Sequence, residues 1–335
     1  MTAKIRYDNL SSGRSHFLQE AREATKLTLP YLIRDDDSGT GTRNLKTPWQ
    51  SVGAKGVVTL ASKLMLALLP AQTSFFKLQL DESQLGEMPP EMRTELDLAF
   101  AKIERVIMDA IAASDDRVVV HQALKHLVVA GNALIFMGKD GLKLYPLNRF
   151  VIERDGNGNV IEIVTKERIS KKVLESVVPD ILEMKGDYAN DDSSTNEDCE
   201  VYTHIKRDNN RYIWHQEVYG KIIPKSMGKA PLDTTPWIPL RFNVVDGEDY
   251  GRGRVEEFMG DLKSLEALSQ ALVEGSAAAA KVVFTVSPSS TTKPSTLAQA
   301  GNGAIVQGRP EDIGVVQVGK TADFATAYQM VQQLE

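Results

Sequence analysis

Residues 250–286 read YGRGRVEEFMGDLKSLEALSQALVEGSAAAAKVVFTV. A glycine-rich bend opens the stretch. Val255, Phe258, Met259, Leu262, Leu265, Leu268 and Leu272 then recur at steps of three and four, the helical period. After Glu274 the large side chains stop and the chain becomes Gly275-Ser276-Ala277-Ala278-Ala279-Ala280. Beyond Lys281, Val282 to Val286 are β-branched or aromatic, as in a strand. The pattern predicts a helix of about 27 residues, about 40 Å long. Only one narrow stripe of it is apolar and its tail is small. Such a rod suits packing against copies of itself better than burial inside one globule.

The remainder of the chain is an ordinary folded background. Its 335 residues allow two or three domains, and apolar and charged contents of 42% and 25% are typical of globular proteins. The formal charge of −6 argues against a broad electrostatic grip on DNA or on an anionic membrane. The single Cys199 excludes an internal disulfide and a cysteine-rich metal site. The first residues, MTAKIRYDNLSSGRS, hold no apolar run of the signal-peptide kind, and LMLALLP at 64–70 is far too short for a bilayer span.

Upstream of the bend, residues 1–14 are polar and are expected to be mobile. Helices are predicted over 15–28, 50–69, 91–113 and 117–130. Ser15 is the expected N-cap of the first, with Phe17, Leu18, Ala21 and Ala24 on its apolar side. Thr47 with Pro48 is expected to open the second. Val57, Leu60, Leu64, Met65 and Leu68 share a face of that second helix. Gly53 and Gly56 there invite another backbone to approach. Leu96, Phe100, Ile103, Ile107 and Ile111 are expected to form the buried stripe of the third helix. Gly131-Asn132 ends the fourth. Phe75 to Leu80 alternates like a strand.

Antiparallel hairpins are predicted through 133–243, with turns at Gly138–Gly141, Asp155–Asn159 and Asp208–Asn210. A short helix is expected near Ser170–Val177 and an acidic surface excursion over 187–198. Residues 287–321 read as a small β-rich excursion, with extended pieces at 304–307 and 315–318. A further helix is expected from Ala322, with Phe324, Ala327, Tyr328, Val331 and Leu334 on one side.

Chemical motifs are scarce. Gly53-Ala54-Lys55-Gly56 lacks the residues of a phosphate loop, and no G-x-S-x-G elbow occurs. Gly251-x-Gly253 lacks the third glycine of a dinucleotide fingerprint, so its expected use is a sharp bend, with Asp249 favouring the positive end of the helix. Arg252 and Arg254 fit surface charges, an intersubunit ion pair or phosphate contacts alike. Asp35-Asp36-Asp37 lacks the distal Glu of a calcium loop and reads as a solvated loop. His121 and His126 are five apart, so they do not share a helix face. His204 and His215 fall on paired strands, but no third metal ligand is evident. No catalytic, cofactor or metal site is expected.

Three stretches together carry a resemblance. They are Thr47-Pro48-Trp49-Gln50-Ser51-Val52-Gly53-Ala54-Lys55-Gly56 with its continuation 60–70, Tyr250-Gly251-Arg252-Gly253 with Gly260-Asp261-Leu262-Lys263-Ser264-Leu265-Glu266, and Gly308-Arg309-Pro310-Glu311-Asp312-Ile313 followed by Ala322-Asp323-Phe324. In this order the chain resembles the head-to-tail connector, or portal, proteins of short-tailed podoviruses. Members of that family are longer, which fits a last helix that stops at Glu335 without a cap.

The resemblance implies an α+β portal-type fold. Residues 1–250 would form a wing, 251–280 a first stem helix, 281–321 a clip and 322–335 the start of a second stem helix, with the crown beyond. It implies a homo-oligomeric ring of twelve copies at one capsid vertex, a virion component assembled in the host cytoplasm, with no membrane role. Its partners would be the terminase large subunit, tail adaptor proteins, major capsid and internal core proteins, and double-stranded DNA in the channel. The packaging ATPase would belong to the terminase. Candidate stem, channel or subunit-contact residues are Arg252, Arg254, Lys263, Gly275, Ala278 and Lys281. Candidate clip residues facing partners are Arg309, Glu311 and Asp312. A different virion ring or adaptor protein is the alternative.

Overall fold

The computed structural model describes residues 2–33, 45–70, 73–80, 89–170, 173–174, 198–279, 283–288, 313–316 and 321–334, with single residues between 288 and 313. Helix α1 is Ala3–Leu27, α2 Val52–Leu68, α3 Pro90–Ala113 and α4 Asp116–Ala130. Strands follow as β1 Asn132–Gly138, β2 Gly141–Pro146, β3 Phe150–Arg154, β4 Val160–Ser170, β5 Asp198–Asp208 and β6 Arg211–Val218. Then come β7 Lys221–Ile222, β8 Gly228–Pro231 and β9 Trp237–Arg241. The last elements are α5 Met259–Ala279, β10 Val283–Val286, β11 Ile313–Val316 and α6 Thr321–Leu334. The elements mix helix with antiparallel sheet, an α+β architecture. No described helix is long and apolar enough to cross a membrane.

The chain divides into two units, Met1–Met259 and Gly260–Glu335. In the first, two antiparallel sheets share one core. The smaller has the order β2-β1-β9, and the larger runs β3-β4-β5-β6-β7 with β8 also on β6. Successive side chains of a strand point to opposite faces, and β1 uses both. Its Leu134 joins Tyr145, Phe150, Ile163, Ile205, Trp237, Tyr250 and the Leu18–Ala21 side of α1. Its Ala133 and Ile135 join Ala61 and Met65 of α2 and Leu124 and Leu127 of α4. Each such large apolar side chain contributes about 1.5–3 kcal/mol on burial. In the second unit, β10 pairs with β11 antiparallel from Val283↔Val316 to Val286↔Ile313.

Several expectations need correction. Residues 3–14 are helical, and α1 begins after Thr2, not Ser15. The first turns are held from outside the helix. Glu217 Oε2 accepts from the Ala3 amide at 2.6 Å, and Glu162 Oε2 accepts from Arg6 Nε at 2.7 Å. Arg14 donates to the carbonyls of Leu147 and Phe150 at 3.1 and 2.9 Å. Polar residues thus face inward, which a search for apolar periodicity passes over. Helix α2 starts at Val52, after Ser51, and neither Thr47 nor Pro48 opens it. Gln50 does the capping: its Oε1 accepts from the Gly53 amide at 2.9 Å while its Nε2 donates to the Leu27 carbonyl at 2.6 Å. The buried face of α2 is Gly53, Val57, Ala61 and Met65, whereas Leu68 is exposed.

Residues 75–80 form no strand. Leu78 instead donates its amide to Glu104 Oε1 at 2.6 Å, a side chain standing where a strand partner would. No described side chain of α3 is buried: Leu96, Phe100 and Ile111 are half-covered, and Ile103 and Ile107 are exposed. The predicted turns hold. Gly131 ends α4 at φ 72°, and Asn209 at φ 52° turns β5 into β6. The long helix α5 has 21 residues and is preceded by a 3-10 turn, Val255–Phe258, so it starts later and is shorter than expected. Phe258 of its expected stripe is exposed. The acidic loop at 35–37, the excursion at 187–197, most of 170–177 and the extended piece at 304–307 lie outside the described residues.

Candidate functional site

The sharpest motif, Tyr250 to Arg254, sits against the C-terminal end of α4 and the start of β1. Backbone meets backbone there, because glycines stand wherever a side chain would collide. A Cβ on Gly253 would lie 2.4 Å from the Val129 carbonyl oxygen. One on Gly131 would lie 2.5 Å from the Gly251 carbonyl oxygen, and one on Gly251 2.9 Å from the Gly131 oxygen. No real Cβ contact is that short, so the crossing requires all three.

Hydrogen bonds lock the crossing. Asn132, 2% exposed, accepts from the Gly251 amide through Oδ1 at 2.7 Å. Its Nδ2 donates to the Gly251 carbonyl at 2.7 Å and to the Ala130 carbonyl at 3.0 Å. Asn243 and Arg252 exchange backbone bonds of 3.1 and 2.9 Å, and the Phe242 amide donates to the Gly131 carbonyl at 2.9 Å. Tyr250 is buried, and its hydroxyl accepts from the Ile152 amide at 3.0 Å. Asp249 does not serve the helix start as expected. Its carboxylate accepts from the Arg154 amide at 2.8 Å, tying the bend to β3.

Arg252 is the electrostatic centre of the joint. It donates to Glu248 through Nε at 2.9 Å and Nη2 at 2.6 Å, and to Glu256 through Nη1 at 2.8 Å. Its guanidinium lies 4.8 Å from the centre of the Phe17 ring. Hydrogen bonding to Glu248, with Glu256 adding to it, raises its pKa above the ordinary arginine value. Arg254 pairs with Glu257 and stands over Phe258, 5.0 Å from the ring centre. Within one chain both arginines therefore have carboxylate partners, and the surface of the joint carries glutamates as well as arginines.

The other candidates are separate from this joint. Lys263 is exposed in the first turns of α5, and Gly275 is half-exposed near its end. Ala278 lies in the last turn of α5, where side chains are outside the described residues, and Lys281 is outside them altogether. Arg309 and Glu311 are exposed, and Asp312 is not described. Asn132, Tyr250, Glu248 and Phe17 belong to the joint without having been singled out as site residues. Asn132 read only as a helix stop, and its partner lies 119 residues away.

The histidines are separate too. His204 and His215 are cross-strand neighbours with ring centres 5.3 Å apart. Each turns Nε2 to its own carboxylate, His204 to Glu162 at 2.5 Å and His215 to Glu217 at 2.9 Å. Those glutamates are the ones that hold the start of α1. Burial pushes the Glu162 pKa up, but hydrogen bonds from His204 and Arg6 outweigh it and hold the carboxyl below its usual range. His126 is buried in α4, its Nδ1 without a hydrogen-bond partner, and burial lowers its pKa to about 4. Among the described residues no group of three His, Cys, Asp or Glu is placed to hold a metal ion.

Comparison with known proteins bears on what such a chain is for. The family model described as bacteriophage head to tail connecting protein matches residues 1–335. The chain is similar to the portal protein of Escherichia phage T7, with 37% identity over 99% of this chain and 63% of that protein. The portal protein of Enterobacteria phage T3 is 38% identical over 99% of this chain and 63% of its own. That of Enterobacteria phage SP6 is 31% identical over 95% and 61%. The chain thus spans a little under two thirds of the length of these relatives.

Proposed function

Because this chain belongs to the bacteriophage head-to-tail connecting protein family, we propose that it is a subunit of a portal ring, structural and not catalytic. Twelve copies would stand at one vertex of the capsid and enclose a channel. Double-stranded DNA would pass inward through it, driven by the terminase large subunit, and outward at ejection. Tail adaptor proteins would attach to the clip, and capsid and internal core proteins would surround the ring. The observation that carries this reading is the match along the whole chain to portal proteins of short-tailed phages.

In this reading residues 1–250 are wing, 251–280 the first stem helix, 281–321 the clip and 322–335 the start of a second stem helix. Two physical features support it. A charge of −6 per chain favours sliding of DNA over gripping, since tight binders neutralise phosphates with bases. The small tail of α5, Gly275 to Ala279, would let neighbouring helices approach closely where a ring narrows. Lys263, Gly275, Ala278 and Lys281 would then face the channel or a neighbouring subunit. Arg309, Glu311 and Asp312 would face partners at the clip. Arg252 and Arg254, paired within one chain, would act at the joint between wing and stem.

The test is native mass measurement and negative-stain imaging of the purified full-length protein. A ring of about twelve subunits with a central hole is expected. A monomer or dimer would overturn the proposal, and a ring that supports tail attachment but not DNA packaging would favour an adaptor. Ala278→Trp should lower the yield of rings. Unchanged ring mass and packaging would remove Ala278 from the interface.

A further inference from the structure

Helix α3 presents a seam that the described residues leave largely exposed, with Leu96 half-covered. From Met92 to Ala113, every position reached by alternating steps of four and three is apolar. Met92, Leu96, Ile103 and Val106 are the bulky members, Ala99 lies between them, and Ala110 and Ala113 end the seam. A strict seam of this spacing is the sequence form of a helix that packs along another helix. Contacts within the chain use the neighbouring side of α3 instead, where Glu104 accepts from the Leu78 amide. Met92 is 51% exposed, Ile103 48% and Val106 67%. A contiguous apolar row of this length on a surface marks a contact site.

Charge selects the occupant. Helix α3 carries Glu91, Glu95, Asp97, Glu104 and Asp109 against Arg93, Lys102 and Arg105, so it is acidic. Helix α2 carries Lys55 and Lys63 and no carboxylate. Its outer side is also partly apolar, with Val58 39% and Leu66 67% exposed. We infer that the α3 seam of one subunit is covered by the outer face of α2 from a second copy of this chain. The two faces differ, so the contact is head-to-tail: each copy offers one face and receives on the other. Contacts of that type propagate and close into rings. The inference rests on the ring proposed above and places one of its subunit contacts.

Thiol chemistry on the full-length protein tests it. Cys199, the one cysteine of these 335 residues, is buried, and the parent protein without added thiols sets the background labelling. Val106→Cys is compared with Met227→Cys, a control at a position 71% exposed. In assembled rings, maleimide should label Val106→Cys several-fold more slowly than the control. Oxidation of the double variant Val106→Cys, Lys63→Cys should give a ladder of covalent multimers on a non-reducing gel. Rings in which both single sites label equally fast would overturn the inference and leave the ring intact. Protection at position 106 without a ladder would overturn α2 as the occupant. A protein that forms no ring would overturn the ring itself, and this contact with it.

Discussion

The carboxamide of Asn132 reads both backbone groups of Gly251, accepting from its amide and donating to its carbonyl, each at 2.7 Å. One side chain thereby takes the place of a strand partner at the point where the chain leaves the sheets for its long helix. Both bonds are buried, so no water stands ready to replace them. Asn132→Ala should lower the unfolding free energy by about 3 kcal/mol, the cost of leaving buried backbone groups unpaired. Urea unfolding of the variant measures it. A loss below 1 kcal/mol would mean that the crossing survives without the amide.

Two glycines make opposite predictions. Gly253→Ala would place a Cβ 2.4 Å from the Val129 carbonyl oxygen, and backbone cannot yield there as a flexible side chain would. A destabilisation of about 2–3 kcal/mol is expected. Gly56 in α2 has nothing within 4 Å of a built Cβ. Gly56→Ala should be neutral or stabilising by up to about 1 kcal/mol. Thermal unfolding of the pair separates local crowding from a general intolerance of glycine replacement.

His126 makes stability depend on pH. Its native pKa is lowered to about 4 by burial, below the value of about 6.5 in an unfolded chain. The native state therefore binds fewer protons. The contribution of the neutral ring is whole above pH 6.5 and is lost as pH falls towards 4, in total about 3 kcal/mol. His126→Gln should flatten the fall in urea midpoint between pH 6.5 and 4. An identical profile in the variant would assign the dependence to other groups.

Glu162 acts in a lower window. Its pKa is depressed in the native state, so its contribution is present above the ordinary carboxylate range and disappears as pH falls through the native value. Glu162→Gln removes the charge that holds Arg6 and His204. Amide exchange at residues 3–7 should accelerate in this variant while exchange in β4 and β5 stays slow. Unchanged exchange at those positions would show that Glu217 and the Arg6–Glu153 pair secure the start of α1 without Glu162.

Much of the fold is written in local pattern. The apolar period of α2, α4 and α5 and the Asp-Gly and Asn-Gly turns place most elements within a few residues. What pattern does not carry is partnership. The start of α1 depends on Arg6 and Arg14 meeting groups more than 130 residues away, and polar residues at those positions look like a solvated tail. Phe75 to Leu80 alternates as a strand does, but none of the described strands pairs with it. The glycines of the joint announce a tight bend. That Gly131 and Asn132 form its other half follows only from the pairing of β1 with β9. Arg252 shows the same limit: its type and position permit several roles, and only the placement of Glu248 and Glu256 distinguishes them within the chain.

The pairing of β1 with β9, Asn132 opposite Arg241, also sets an order of events during synthesis. The whole β3–β8 sheet lies in sequence between these two strands. A ribosome adding roughly 5–20 residues per second needs about 5 to 20 seconds to deliver β9 after β1. Until then one edge of β1 is unpaired, and Gly131 has nothing to cross. The intervening sheet can form first as an antiparallel meander, β3 to β7 pairing in sequence order and β8 passing over β7 to reach β6. Trp237–Arg241 and the glycine bend then close the smaller sheet last, so translational pauses shortly after residue 150 prolong the life of an open strand edge.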